Sequence, residues 1–281
     1  MLNRLLCPIK KYIYNPIMQN TIINMTLAID RLASPLEQFS VTTLIPINFQ
    51  TLDFSITNSA IYCLLTVALI VGLWSLIHYE GGLMVPSKYQ VTSEMLYDFV
   101  SSLVHEQLGP THAPKYVGLV FTVFLYVLVA NLLGLIPFSF ATTAQLVIAF
   151  GLSFSLFIGV TLIGLSIHGL HFLSFFLPSG APIALAPLLV VIELISYVFR
   201  PISLGVRLFA NITAGHSLLA IIAGFSWTML GVNTIFMTVL AALPAVVIIA
   251  IFGLELAVAF LQAYVFAVLL CIYLRDAIEL H

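Results

Sequence analysis

The residues that could do chemistry in this sequence are few, and their spacing is regular. Glu193, Arg200 and Arg207 recur every seven positions. In a helix each heptad falls about 20° short of two full turns, so the three share one stripe. Ser203 and Asn211, four positions either side of Arg207, lie about 40° from it and join that stripe. His216, nine positions beyond Arg207, points roughly 180° away on a straight helix. Further on, Glu255 and Gln262 are again seven apart. Asp276, three heptads after Glu255, drifts only about 60° from it. All of these lie in surroundings that are otherwise apolar. An ionisable group at membrane depth costs at least about 2.5–3.5 kcal/mol, so such groups pair, line a wet cavity or act on an ion. Two readings follow. Glu193–Arg200 and Arg207–Glu255 could be ion pairs that hold helices together, or the carboxylates and His216 could pass protons along. The first leaves the sided distribution of carboxylates and histidine unexplained.

The elements that must position these groups are membrane helices. The chain has 281 residues, 62% hydrophobic and 7% charged, whereas soluble domains carry about 25% charged residues. That excludes a soluble enzyme, a disordered tail and a secreted disulfide scaffold. Nine Lys/Arg in all, a net charge of -2 and no basic cluster exclude nucleic-acid binding. Cys7, Cys63 and Cys271 share no short spacing and suggest neither a disulfide framework nor a metal knuckle. His168 and His171 stand three apart with no third ligand nearby, which favours a loop or interface role over a metal site. No cofactor is expected.

No Asp, Glu, Lys or Arg occurs between Phe54 and Tyr79, Tyr116 and Ile192, Leu208 and Leu254, or Leu256 and Leu274. Such runs meet the span criterion and lack the alternation of a barrel strand. Upright helices are predicted at Thr57–His78, Tyr116–Pro137 and Thr143–Ile167. Between the first two, Thr92–Leu108 pairs its apolar residues at helical spacing, with Glu94, Asp98, Ser101, Ser102, His105 and Glu106 on the other face. This is an amphipathic helix, lying in the membrane interface or packed under a partner protein. Gly109-Pro110 ends it. Pro182–Ser226 and Met229–Arg275 are each too long for one upright span. As single helices they would run on the order of 65–70 Å at 1.5 Å per residue, against a hydrocarbon core near 30 Å. Each must break, with Pro201 and Pro244 as break points, or lie strongly tilted. Ser226–Asn233 is the expected turn between them. Lys88 and Lys115 flank the amphipathic helix, which places it and the C-terminus on the positive-inside face.

The run Ser203-Leu-Gly-Val-Arg-Leu-Phe-Ala-Asn-Ile-Thr-Ala-Gly-His216 closely resembles the signature of the subunit a family of rotary F-type ATP synthases. Supporting matches are Ser34–Phe39, Asn131–Pro137, Pro187–Glu193, Glu255 with Gln262, and Tyr273–His281. The resemblance covers Ser34 to His281, so residues 34–281 are expected to form a single membrane domain. Met1–Ala33 precedes the usual start, as a removable or a retained extension. What the resemblance implies is an all-α integral membrane protein with upright helices, one interfacial amphipathic helix and a C-terminal hairpin of two long, strongly tilted helices. By the same resemblance, Arg207 faces the carboxylates of the c-ring. His216 and Glu255 map to the half-channel from the intermembrane or periplasmic side, Glu193 and Asp276 to the one opening to the matrix. Asn211 and Gln262 accompany Arg207, with Ser203 on its stripe. The implied partners are the c-ring, the peripheral stalk, other subunits of the membrane sector, the lipid bilayer and protons. His216 stands where many bacterial members carry Glu, pointing to the mitochondrial inner membrane, with a bacterial inner membrane as the alternative. With no G-x-x-x-x-G-K-[ST] loop in the chain, catalysis is assigned to other subunits. The rival readings are a proton-coupled secondary transporter, which predicts an internal repeat that the chain lacks, and a structural membrane anchor, which leaves Arg207 and Glu255 without purpose.

Overall fold

In the computed structural model, the described residues are 37–49, 52–53, 55–79, 87–136, 139–169, 171–172, 186–231 and 235–279. The extension Met1–Ala33, Pro137, the start of the first long segment at Pro182, and Asn233 lie outside them. A short 3-10 turn at Glu37–Phe39 precedes strands β1 (Thr43–Ile45), β2 (Asn48–Phe49), β3 (Leu52–Asp53) and β4 (Ile56–Thr57). Among the described residues six α-helices follow: α1 (Asn58–Tyr79), α2 (Lys88–Gly134), α3 (Leu146–His168), α4 (Ala186–Gly231), α5 (Ile235–Leu240) and α6 (Ala242–Ile278). A second 3-10 turn at Thr142–Ala144 lies just before α3, where the predicted helix was to begin at Thr143. Five segments among the described residues are long and apolar enough to cross a membrane. The fold is that of an all-α integral membrane protein.

The strands form two antiparallel ladders, β1 with β4 and β2 with β3, which the hydropathy pattern did not anticipate. Thr43, Ile45, Ile56 and Thr57 are β-branched and suit paired extended backbone. The ladder hands directly into α1. Thr57 Oγ1 accepts from the Ala60 amide at 3.4 Å, which satisfies one of the helix's orphan donors.

Two predicted segments are joined in α2. The helix begins at Lys88, capped by Ser87, whose side chain accepts from the Gln90 amide. It leaves helical geometry only at Gly109, with φ 74° and ψ 168°, a left-handed setting that favours glycine. Helix resumes at once on Pro110 rather than at Tyr116, because the opening turn of a helix tolerates a missing N–H. Of the apolar stripe of the amphipathic half, Val100, Leu103, Val104 and Leu108 are buried, whereas Met95 and Phe99 are exposed.

Expected break points do not break the long helices. α4 runs through Pro201 for 46 residues, about 69 Å at 1.5 Å per residue. Pro244 sits in the first turn of α6, where its missing donor costs nothing. The interruption falls instead at Ala241. Ser226–Gly231, predicted as part of the turn, is helical: Trp227, Met229 and Leu230 continue the apolar pattern.

The described residues form two compact units, one of Val41–Thr213 with Leu256–His281, the other of residues up to Ser40 with Ala214–Glu255. In the first, Val104, Val120, Phe124 and Val127 of α2 join Val160 of α3, Leu204 and Leu208 of α4, and Phe266, Leu270 and Leu274 of α6 in one core. His168 Nε2 lies 3.0 Å from the Ile278 carbonyl oxygen, which ties the end of α3 to the end of α6. No group of three or more candidate metal ligands occurs among the described residues. In the second unit, the Ser226 hydroxyl donates to the Ala241 carbonyl at 3.4 Å.

Candidate functional site

The buried stripe of α4 explains where Arg207 ends up. Pro201, Leu204, Gly205, Leu208 and Ile212 are buried at helical spacing. A Cβ on Gly205 would lie 3.2 Å from Ser153 Oγ and 3.4 Å from the Ala149 carbonyl of α3. Any side chain here would be tighter than an ordinary packing contact, so the glycine eases the close approach of the two helices. Arg207, with Ser203 and Val206, therefore falls on the opposite, exposed face. Among the described residues it makes no ion pair.

Four positions on, Asn211 reaches the neighbouring helix. Its Nδ2 donates to Gln262 Oε1 at 2.9 Å. Gln262 is buried, and its own Nε2 has no hydrogen-bond partner among the described residues. Asn131, fully buried on α2, donates to the Ala259 carbonyl at 3.4 Å, one turn from Gln262.

At the other end of the heptad stripe, the less favoured of the two readings of the sequence paired Glu193 with Arg200. That pair is present, Nη2 to Oε1, at 3.7 Å. The shorter contact was not foreseen. Arg200 Nη1 donates to Asp276 Oδ2 at 2.7 Å, so one guanidinium joins both carboxylates from different helices. Tyr197 and Tyr273 flank it, their ring centroids 5.8 and 5.6 Å from Cζ, within cation–π range. The Tyr197 hydroxyl is in turn 2.8 Å from Thr161 Oγ1. Tyr197 lies three residues from Arg200, and Tyr273 three from Asp276. This i, i+3 spacing is the signal that could have found the cluster.

In the second unit His216 and Glu255 come together, Nε2 to Oε1, at 3.8 Å. Glu255 is 4% exposed. Among the described residues, neither of its carboxylate oxygens, nor His216 Nε2, has a hydrogen-bond partner. The edge of Phe39 meets the imidazole at 6.3 Å between centroids. A buried carboxylate facing an imidazole without a fixed hydrogen bond is suited to exchanging a proton rather than to cementing helices. Gly215 makes room for it. A Cβ there would collide with Glu255 Oε1 and stand 3.0 Å from Cδ and 3.3 Å from Cγ. Gly215→Val is accordingly expected to push the carboxylate away from His216. Proton flux through the assembled complex should drop about tenfold or more. Parental flux in that variant would show that the close approach is unimportant.

The comparisons with known proteins decide the family. The family model described as ATP synthase A chain matches residues 60–275. The chain belongs to the ATP synthase A chain family. It is 52% identical over 250 residues to ATP synthase subunit a of Marchantia polymorpha, covering 88% of this chain and 99% of that one. The corresponding protein of Oenothera berteroana is 51% identical over 252 residues, covering 88% and 90%. That of Mycosarcoma maydis is 46% identical over 254 residues, covering 88% and 98%. As a member of the ATP synthase A chain family the chain is the proton-channel subunit of the synthase's membrane sector, a multi-pass, non-catalytic component that works with other subunits of that sector. Every polar residue singled out above, from Glu193 to Asp276, falls within the matched span except the last, which follows it directly.

Proposed function

We propose that this chain forms two offset half-channels that load and unload protons on the c-ring and so drive its rotation. The observation that carries this is Arg207: an exposed guanidinium on a membrane-length helix, without an acidic partner among the described residues. Such a charge is tolerable when an acidic group arrives from outside the chain, and a ring carboxylate supplies it. His216 and Glu255 form the entry. At 3.8 Å their proton passes through a bridging water or after a small rotation. Glu193 and Asp276 form the exit, held by Arg200. Ser203, Asn211 and Gln262 are polar companions of Arg207, with the Asn211–Gln262 bond fixing the neighbouring helix. A proton enters, neutralises a ring carboxylate, rides the ring and leaves through the exit.

The two half-channels must not join, or the gradient collapses as heat. Arg207 prevents this because a guanidinium does not deprotonate and its charge repels a passing proton. Lysine would substitute poorly, since a desolvated ammonium can lose its proton and become a relay. The electrical gradient contributes about 2.3 kcal/mol per proton per 100 mV, so several protons are gathered for each ATP. The long helices α4 and α6 form a hairpin tilted strongly in the bilayer, since their 46 and 37 residues, about 69 and 55 Å at 1.5 Å each, exceed the roughly 30 Å core. Residues 34–281 constitute one membrane domain, seated in the mitochondrial inner membrane against the c-ring and braced by the peripheral stalk.

The exit is tested by removing both carboxylates while keeping acceptors for Arg200. Glu193→Gln with Asp276→Asn should lower proton flux in reconstituted vesicles by about tenfold or more, with the complex assembled. Flux at the parental level would mean that protons leave by another route.

A further inference from the structure

Resting on that exit assignment, we infer that its two carboxylates are not equivalent: Glu193 carries the exchanged proton, and Asp276 is the fixed counter-ion of Arg200. The geometry of the cluster is asymmetric. Arg200 Nη1 to Asp276 Oδ2, at 2.7 Å, is a charge-assisted hydrogen bond. Nη2 to Glu193 Oε1, at 3.7 Å, is an ion-pair distance beyond hydrogen-bond range. The contacts use different nitrogens of the fork, so Glu193 can let go without disturbing Asp276.

The surroundings fix the fork rather than the glutamate. Tyr197 and Tyr273 flank the guanidinium, and Thr161 of α3 holds the Tyr197 hydroxyl. A small cavity beside them is lined by Phe157, Phe172, Tyr197, Arg200, Tyr273 and Asp276. Arg200 and Asp276 thus face aromatic walls, where a charge without a partner is costly. The charged and titratable groups of the cluster are Glu193, Tyr197 and Arg200 on α4 and Tyr273 and Asp276 on α6, with Arg207 of α4 near enough to act on Tyr273 from outside it. Phe157 and Thr161, which α3 brings to it, do not ionise.

Charge counting then selects the carrier. One guanidinium between two carboxylates leaves one excess negative charge, which an arriving proton neutralises. Placed on Asp276, the proton would break the 2.7 Å bond and leave Arg200 with only a distant partner. On Glu193, it relaxes a 3.7 Å pair and leaves the strong bond whole. Arg200 is therefore a positioning residue, and it acts through the carboxylate that it does not grip.

The test is proton flux against pH in vesicles holding the complete complex. Glu193→Gln should cut flux about tenfold or more at every pH and abolish the exit's pH limb. Asp276→Asn still accepts from Arg200 but brings no charge, so Glu193 becomes the sole counter-ion of the guanidinium. Its limb should move about one pH unit toward acid, with a smaller loss of rate. The double variant should match Glu193→Gln alone. Should Asp276→Asn fail to assemble, Asp276→Glu keeps the charge and should keep the limb at its parental pH. A limb abolished by Asp276→Asn and merely shifted by Glu193→Gln would reverse the assignment and overturn the inference, as would identical profiles in the two. If neither substitution altered flux, the exit reading itself would fall, and this inference with it.

Discussion

Replacing Arg207 with alanine should abolish ATP-coupled proton transport and, in the same complex, raise passive proton leak. Both effects follow from one property. Arg207 sits on the exposed face of α4, opposite the buried stripe of Leu204, Leu208 and Ile212, so removing its side chain leaves the packing of α4 on α3 untouched. What is lost is the charge that draws an ionised carboxylate to this face and the charge that bars a proton from crossing between the half-channels. Coupled flux should fall on the order of 100-fold or more, the scale of losing a pre-organised electrostatic contact. Leak, followed with a pH-sensitive dye, should rise. The competing account makes Arg207 the internal partner of Glu255. It predicts misassembly of the alanine variant and rescue by adding Glu255→Gln. Rescued coupling in the double variant would overturn the seal; an assembled but leaky single variant is what the seal requires.

The second large effect concerns His216. Its Nε2 faces Glu255 at 3.8 Å, and an imidazole can take a proton at one ring nitrogen and give one from the other. His216→Leu fills the space but cannot relay, and proton flux should fall on the order of 100-fold, the scale of losing a general acid–base group. His216→Glu should keep part of the flux, since a carboxylate can also relay. That order of effects separates a relay from packing: if the imidazole only packed against Phe39, leucine would be the better tolerated of the two.

How much of this was legible beforehand differs by residue. The heptad of Glu193, Arg200 and Arg207 depends on helical period alone, and α4 carries all three without interruption. The fate of Pro201 was not legible. Its cost is local, whereas the packing that outweighs it involves α3 and α6, which a single sequence does not bring together. The Arg200–Asp276 bond joins residues 76 positions apart, and no periodicity links different helices. For Glu193, seven residues away on the same helix, periodicity was enough. Gly215 read as one small residue in a run until Glu255 was placed against it. The strands of Thr43–Thr57 were hidden because two- and three-residue ladders are too short to show alternation. Asn211 and Gln262 were expected beside Arg207; their hydrogen bond to each other is a finding of the structure.

The claim at the centre of the account is that the two polar clusters open to opposite sides of the membrane. Site-directed thiol labelling tests it most directly. In a background with Cys7, Cys63 and Cys271 replaced by alanine, single Glu193→Cys and His216→Cys variants of the assembled complex are exposed, in sealed vesicles, to a membrane-impermeant thiol reagent added to one side at a time. Labelling requires assembly but not transport, so inactive variants remain informative. The account predicts that each position is labelled from one side only, and that the two sides differ. Labelling of both positions from the same side would contradict it.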